Sequence, residues 1–263
     1  MKFVHTALDM SLNKTLSIAG LSFSLVGFAS ADVESSISAG YSSEYIYRGL
    51  NFGDDQVSLN LGVSGTAAGL DWNVGLFHGS SNLDTGSTVG VIAAGLLGLS
   101  PQVLVAGVDE TRISAGLTKG LGENIDLNVG VINTSYDIVG SLADRLEIYT
   151  GLSGSIACID VSATAFFNTT DNWTGDTYYE VAASYSVDVV DNASATIGAT
   201  YGNWNKDPFV GLLEDVDFVS LSATLNISLA DNANASVGVT HVITDTPATE
   251  DETVISASLS FGL

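Results

Sequence analysis

Positive charge is nearly missing from this chain: 263 residues hold 7 Lys and Arg against 30 Asp and Glu, for a formal net charge of −23. Nucleic acid is thereby excluded as a partner, because phosphate binding needs a basic patch. Charge of either sign is also scarce, at 14% of residues. An acidic soluble protein reaches such a net charge through a densely charged surface. Here most of the surface must be uncharged, which suits a wall facing lipid. Proline occurs 3 times and cysteine once. The lone Cys158 cannot form an internal disulfide, does not sit where a lipid anchor attaches, and reads as a small residue in a turn. What is plentiful is apolar: 46% hydrophobic residues and 28 Gly, too apolar for a disordered chain.

Residues 1–31 have the layout of a cleavable signal peptide. Lys2 and Lys14 supply positive charge, and the apolar run 15–28 is too short to span a bilayer. Ala29-Ser30-Ala31 is a small-residue cleavage site ahead of Asp32. The stretch before Lys14 is long and carries Asp9, so a start at Met10 gives a tidier leader than Met1. Export is the expectation, with residues 32–263 as the exported body.

That body alternates with period two. Ile37, Ala39, Tyr41, Tyr45 and Tyr47 share one face of the first segment, while Ser36, Ser38, Gly40, Glu44 and Arg48 share the other. Val57, Leu59, Leu61 and Val63 alternate with Ser58, Asn60, Gly62 and Ser64, and Ile255, Ala257, Leu259, Phe261 and Leu263 with Ser256, Ser258 and Ser260. Successive strand residues point to opposite faces, so each segment has one apolar and one polar wall. Twelve strands are expected, near 35–49, 56–65, 70–79, 111–119, 124–135, 145–155, 158–168, 176–188, 192–203, 216–229, 233–243 and 252–263. Most have the length of a tilted membrane strand, about 9–11 residues. Connections are short at 65–69, 119–123, 155–157, 189–191 and 230–232, and longer at 50–55, 80–110, 136–144, 169–175, 205–215 and 244–251. Short periplasmic turns alternating with longer outer loops mark a transmembrane up-and-down β-barrel, whose even strand count puts both termini on one side. The large residues lie on the apolar face and Ser, Thr, Gly and Asn on the other, the reverse of a soluble barrel filled by its large side chains. Asp191-Asn-Ala-Ser-Ala-Thr-Ile-Gly-Ala-Thr echoes Asp231-Asn-Ala-Asn-Ala-Ser-Val-Gly-Val-Thr, as expected of repeated hairpins.

One span resists this pattern. Residues 85–108 carry no charge and have the length of a membrane helix, but contain five glycines and Pro101. They read as an apolar insertion in the second outer loop that folds into the mouth, extends the flanking strands or binds a partner.

Ser42-Ser43-Glu44-Tyr45-Ile46-Tyr47-Arg48-Gly49, followed by Val57-Ser58-Leu59-Asn60-Leu61-Gly62, resembles the first hairpin of the TorF-type porin family of bacteria. That family opens with a Ser, a Tyr, two residues and Arg-Gly, then a short polar loop. Asn128-Val129-Gly130-Val131 and Glu147-Ile148-Tyr149-Thr150-Gly151-Leu152-Ser153 look like its interior strands. The resemblance implies an outer-membrane barrel of porin type. The insertion at 85–108 departs from the pattern, as does a chain end at Leu263 in place of an aromatic. Phe261, Leu259 and Ala257 keep the alternation that the barrel assembly machinery is expected to read.

A hydrolase needs a nucleophile and a base within reach, and after the leader only His78 and His241 remain as imidazoles, both on the lipid side by parity. They read as interfacial belt residues. Asp215, Asp217, Glu250, Asp251 and Glu252 offer hard oxygen ligands without the twelve-residue calcium pattern. Loose association with divalent cations is expected there, and no dedicated metal or cofactor. Parity turns Glu44, Arg48, Arg112, Arg145, Glu147 and Glu180 into the lumen, as a bracing ionic network, a selective constriction, or both. Phe77, Tyr149, Phe166 and Tyr178 on the same parity line or plug a solute path.

Removing Lys2, Lys14 and Asp9 with the leader leaves 29 acidic and 5 basic residues. Asp54, Asp55, Asp84, Asp109, Glu110, Glu214, Asp215, Asp217, Asp245, Glu250, Asp251 and Glu252 are assigned to an acidic mouth. Such a mouth concentrates cations, although high-salt habitats also favour acidic surfaces. The functional expectation is a porin-like channel passing small cationic or neutral solutes by passive diffusion. The alternative is a non-conducting structural or adhesive barrel that displays acidic loops.

Overall fold

A computed structural model describes residues 33–82, 107–137, 144–170, 176–205, 216–245 and 250–263. The expected leader, Asp84, Glu214, Asp215 and residues 85–106 of the insertion lie outside the described residues.

Twelve strands follow one another: β1 (Val33–Tyr47), β2 (Leu50–Ala67), β3 (Leu70–Asn82), β4 (Gly107–Gly120), β5 (Ile125–Asp137), β6 (Arg145–Ile156), β7 (Ile159–Asn168), β8 (Thr177–Val190), β9 (Ala193–Asn205), β10 (Val216–Ala230), β11 (Ala233–Thr244) and β12 (Glu252–Gly262). Each pairs antiparallel with its sequence neighbours, and β1 pairs with β12 from Ser36↔Gly262 to Ser42↔Ser256, closing the barrel. Leu263 N–H donates to Ser35 O at 2.9 Å, so the start of β1 and the end of β12 meet at the short-turn rim. Closure pairs the strand edges, without which lipid would leave backbone groups unsatisfied. No helix long and apolar enough to cross a membrane occurs among the described residues.

The wall follows parity. Val57, Val181, Ile197, Val237 and Ile255 are each more than half exposed on the outside. An apolar band of this kind is stable only against hydrocarbon. His78 and His241 lie on that outer side, bonded to Thr111 (3.1 Å) and Thr253 (3.0 Å) of the adjacent strands. The sequence echo marks two equivalent turns: Asn192 O accepts from Ser228 N–H and Asn232 O from Gly262 N–H, both at 2.8 Å.

One connection departs from expectation. Residues 50–55, read as an outer loop, form the start of β2, and the chain reverses at Arg48-Gly49 alone. Arg48 (φ 53) and Gly49 (φ 80) supply the two positive φ values of a tight hairpin turn. Register shifts lie between Tyr45 and Ile46 on β1 and between Asp54 and Val57 on the β2–β3 ladder. Bulges bend a strand and exchange its faces. Here they turn the hairpin tip away from the wall and into the barrel. Tyr45, placed by parity on the lipid face with Ile37 and Ala39, is instead buried at 5% exposure.

Candidate functional site

The tip of the β1–β2 hairpin crosses the lumen and touches the far wall. Arg48 Nη1 donates to Glu147 Oε1 of β6 at 2.7 Å, and Nη2 to Oε2 at 3.2 Å. Arg145, also on β6, donates to Tyr47 Oη (2.7 Å) and Glu147 Oε2 (3.0 Å). Glu147 therefore accepts from two guanidinium groups while 3% exposed. A carboxylate so deeply placed is tolerated because it is paired and hydrogen-bonded.

Aromatic rings surround this pair. The Arg48 guanidinium carbon lies 4.2 Å from the Tyr178 ring centroid, 4.5 Å from Phe166, 4.9 Å from Tyr47 and 5.4 Å from Trp204. All are within range of a cation–π attraction. The rings pack onward: Phe166 tilted against Tyr149 at 5.7 Å, Tyr178 stacked on Phe218 at 6.4 Å, and Phe52 of the hairpin stacked on Tyr136 of β5 at 5.9 Å. With Tyr45, Leu50, Val108, Val216 and Val242 they form an apolar core inside the long-loop half of the barrel.

Glycine makes the packing feasible. A Cβ on Gly49 would lie 2.6 Å from the Phe218 ring, and one on Gly202 would lie 2.2 Å from that ring and 2.7 Å from Tyr178 Oη. The turn can reach β10 only without side chains at these two positions.

The other half of the lumen is open. A cavity of 450 Å³ has among its lining Asp126, Ser153, Asp160, Ser184, Thr200 and Ser222, which occupy inward positions of β5 to β10.

The six residues assigned to the lumen do not form a single cluster. Arg48, Arg145 and Glu147 share one network, and Arg112 pairs with Glu110 nearby. Glu180 accepts from Tyr178 Oη at 2.7 Å, and Glu44 accepts from Asn51 at 3.2 Å. Asn51 also donates to Glu252 (3.1 Å), which with Asp54 lies at inward register positions. Of the remaining mouth acids, Asp55 and Asp217 stand on the outer wall, bonded by Tyr41 Oη (2.5 Å) and Tyr201 Oη (2.7 Å). Glu250 and Asp251 are exposed. Glu110 is a correction, because it is fully buried in the lumen on β4 instead of standing in the outer loop. Tyr47, Leu50, Phe52, Tyr136 and Trp204 were missed. The available signal was three aromatics and a leucine flanking Arg48-Gly49, at a strand end where polar loop residues are the norm. No group of His, Cys, Asp and Glu able to hold a metal ion occurs among the described residues.

No family model matches the chain, and no curated protein matches it. Solved structures do. An outer membrane channel from Pseudomonas putida F1 aligns over 90% of this chain and 98% of its own at TM-score 0.58 and 11% identity. The translocator domain of the autotransporter NalP from Neisseria meningitidis covers 96% of both chains at 0.55 and 11%, and the KdgM porin 86% and 98% at 0.50 and 10%. Identities this low carry the architecture alone. The chain shares with these proteins the closed antiparallel barrel of outer-membrane proteins.

Proposed function

We propose that this chain is a porin-like outer-membrane channel for passive diffusion of small cationic or neutral solutes, in line with its resemblance to TorF-type porins. The observation that carries this reading is the cavity of 450 Å³ in the short-turn half of the lumen, whose lining includes Asp126, Asp160, Ser184, Thr200 and Ser222. A barrel that served only as a scaffold would gain by filling that space, as small barrels do. The hairpin is then the constriction, set by Arg48, Arg112, Arg145, Glu110 and Glu147. Glu44, Asp54, Glu250, Asp251 and Glu252 supply an acidic approach that raises local cation concentration. Residence in the outer membrane, handling by the assembly machinery and loose divalent-cation binding at the outer acids belong to the same reading, as does the absence of catalytic chemistry.

The buried tip favours a second reading, a non-conducting barrel. Single-channel recording of refolded protein separates the two. Steady cation-selective steps support the channel, whereas silence from folded, inserted protein supports the scaffold.

A further inference from the structure

We infer that Arg48 occupies a binding site for cationic solutes carrying a guanidinium group, and that the chain's own arginine stands there as a substitute ligand. The site is built by the far wall. Glu147 of β6 offers both carboxylate oxygens to the two terminal nitrogens of Arg48, at 2.7 and 3.2 Å. Phe166 of β7, Tyr178 of β8 and Trp204 of β9 surround the guanidinium carbon at 4.5, 4.2 and 5.4 Å. A two-pronged carboxylate set among aromatic rings matches a planar guanidinium better than a hydrated ammonium or sodium ion, since only the planar group forks and stacks together.

The occupant is not part of the wall. It sits on a two-residue turn whose hairpin runs on past Ser42↔Ser256, the last pair that joins β1 to β12 in the barrel wall. Withdrawal of Arg48 would leave Glu147 paired with Arg145 alone, and Glu180, also turned inward, bonded by Tyr178 Oη at 2.7 Å. Those three groups sum to one negative charge, which an incoming cation would neutralise. The cavity below reaches Thr200 and Ser222, inward positions on β9 and β10 that lie on the short-turn side of Trp204 and Phe218. A solute rising from that side approaches the cage from below. The route rests on the channel reading; the binding does not.

The test vacates the site without disturbing the turn. Arg48→Gly and Arg48→Asn both suit a left-handed turn position. Methylguanidinium chloride is titrated against each refolded variant and read by Trp204 fluorescence, with sodium chloride at equal ionic strength as control. Saturable binding is expected in both variants. It should weaken about tenfold or more when Glu147→Gln is added, as loss of a charged hydrogen-bond acceptor implies, and its signal should vanish with Trp204→Phe. The unaltered chain should half-saturate about tenfold higher or beyond, because a tethered competitor acts at high effective concentration. Two results overturn the inference: no saturable response in folded variants, or binding to the unaltered chain as tight as to the variants. Planar-bilayer recording of the same variants tests the channel reading separately. Binding without conductance would remove the channel and keep the site.

Discussion

In the short-turn half of the lumen, β8, β9 and β10 point Ser184, Ser186, Thr196, Gly198, Ser222 and Thr224 inward and leave a cavity. Towards the long-loop end the same strands point Tyr178, Trp204, Val216 and Phe218 inward, all at 8% exposure or less. Strand number, pairing and wall are common to both halves. What differs is the size of the inward residues and the arrival of the hairpin between them. A twelve-stranded barrel is therefore neither open nor filled by its strand count. It is open where the inward residues are small and closed where they are large enough to meet a folded-in segment.

Breaking the closed half should have the largest effect. Glu147→Ala leaves Arg48 and Arg145 buried without their shared acceptor, a loss of about 3–5 kcal/mol. Urea unfolding of lipid-reconstituted protein measures it. Ser222→Ala in the open half should stay within about 0.5 kcal/mol. Equal losses at the two sites would erase the contrast drawn here.

The lipid-facing wall sets a scale between these values. Val239→Lys places a charge on the outer face near the middle of β11, where about 2–4 kcal/mol is expected. Thr240→Lys, one residue on and facing the lumen, should cost clearly less in the same assay.

Gly49→Ala sharpens the contrast by moving the tip alone. Its φ of 80 and the 2.6 Å approach to Phe218 make any side chain unwelcome. A loss of about 1–3 kcal/mol is expected, together with raised conductance, while the barrel stays folded by its mobility on gels.

The smallest effect concerns charge at the exposed rim. Replacing Glu250 with Gln and Asp251 with Asn should lower cation preference without loss of stability, read as a shift in reversal potential across a salt gradient. The shift should shrink as salt rises, because exposed charges are screened within about 10 Å at 0.1 M. Glu252 is left intact because it holds Asn51 of the hairpin.

Twelve strands, their faces, the even closure and the inward placement of Arg145 and Glu147 were legible in the alternation of residues such as 57–64 and 255–263. The closed half was not, and the reasons are local. Parity from Ile37 to Tyr41 assigns Tyr45 and Tyr47 to the lipid face only while β1 stays in the wall, and its pairing with β12 ends at Ser42. Gly53, Asp54 and Asp55 carry loop-forming chemistry, so residues 50–55 read as a loop although Leu50 and Phe52 lie among them, buried. Glu110 stands two residues from Arg112 on the same face, so its pairing was readable in principle. Its closeness to Asp109 and to the apolar insertion disguised it as part of a charged rim. No local sequence feature states that the hairpin tip meets β6 on the far side, because that contact spans 99 residues and depends on barrel closure.

The central claim, that the β1–β2 tip closes one half of an otherwise open lumen, meets its most direct test in conductance. Residues 47–50 are replaced by Asn-Gly, which keeps the Ile46↔Asn51 pair with a turn suited to two residues. Planar bilayers then compare this barrel with the unaltered one at equal insertion. The shortened barrel should show steady openings several times larger than the unaltered chain, still favouring cations. Identical conductance in the two, or silence from both when properly folded, would contradict the claim.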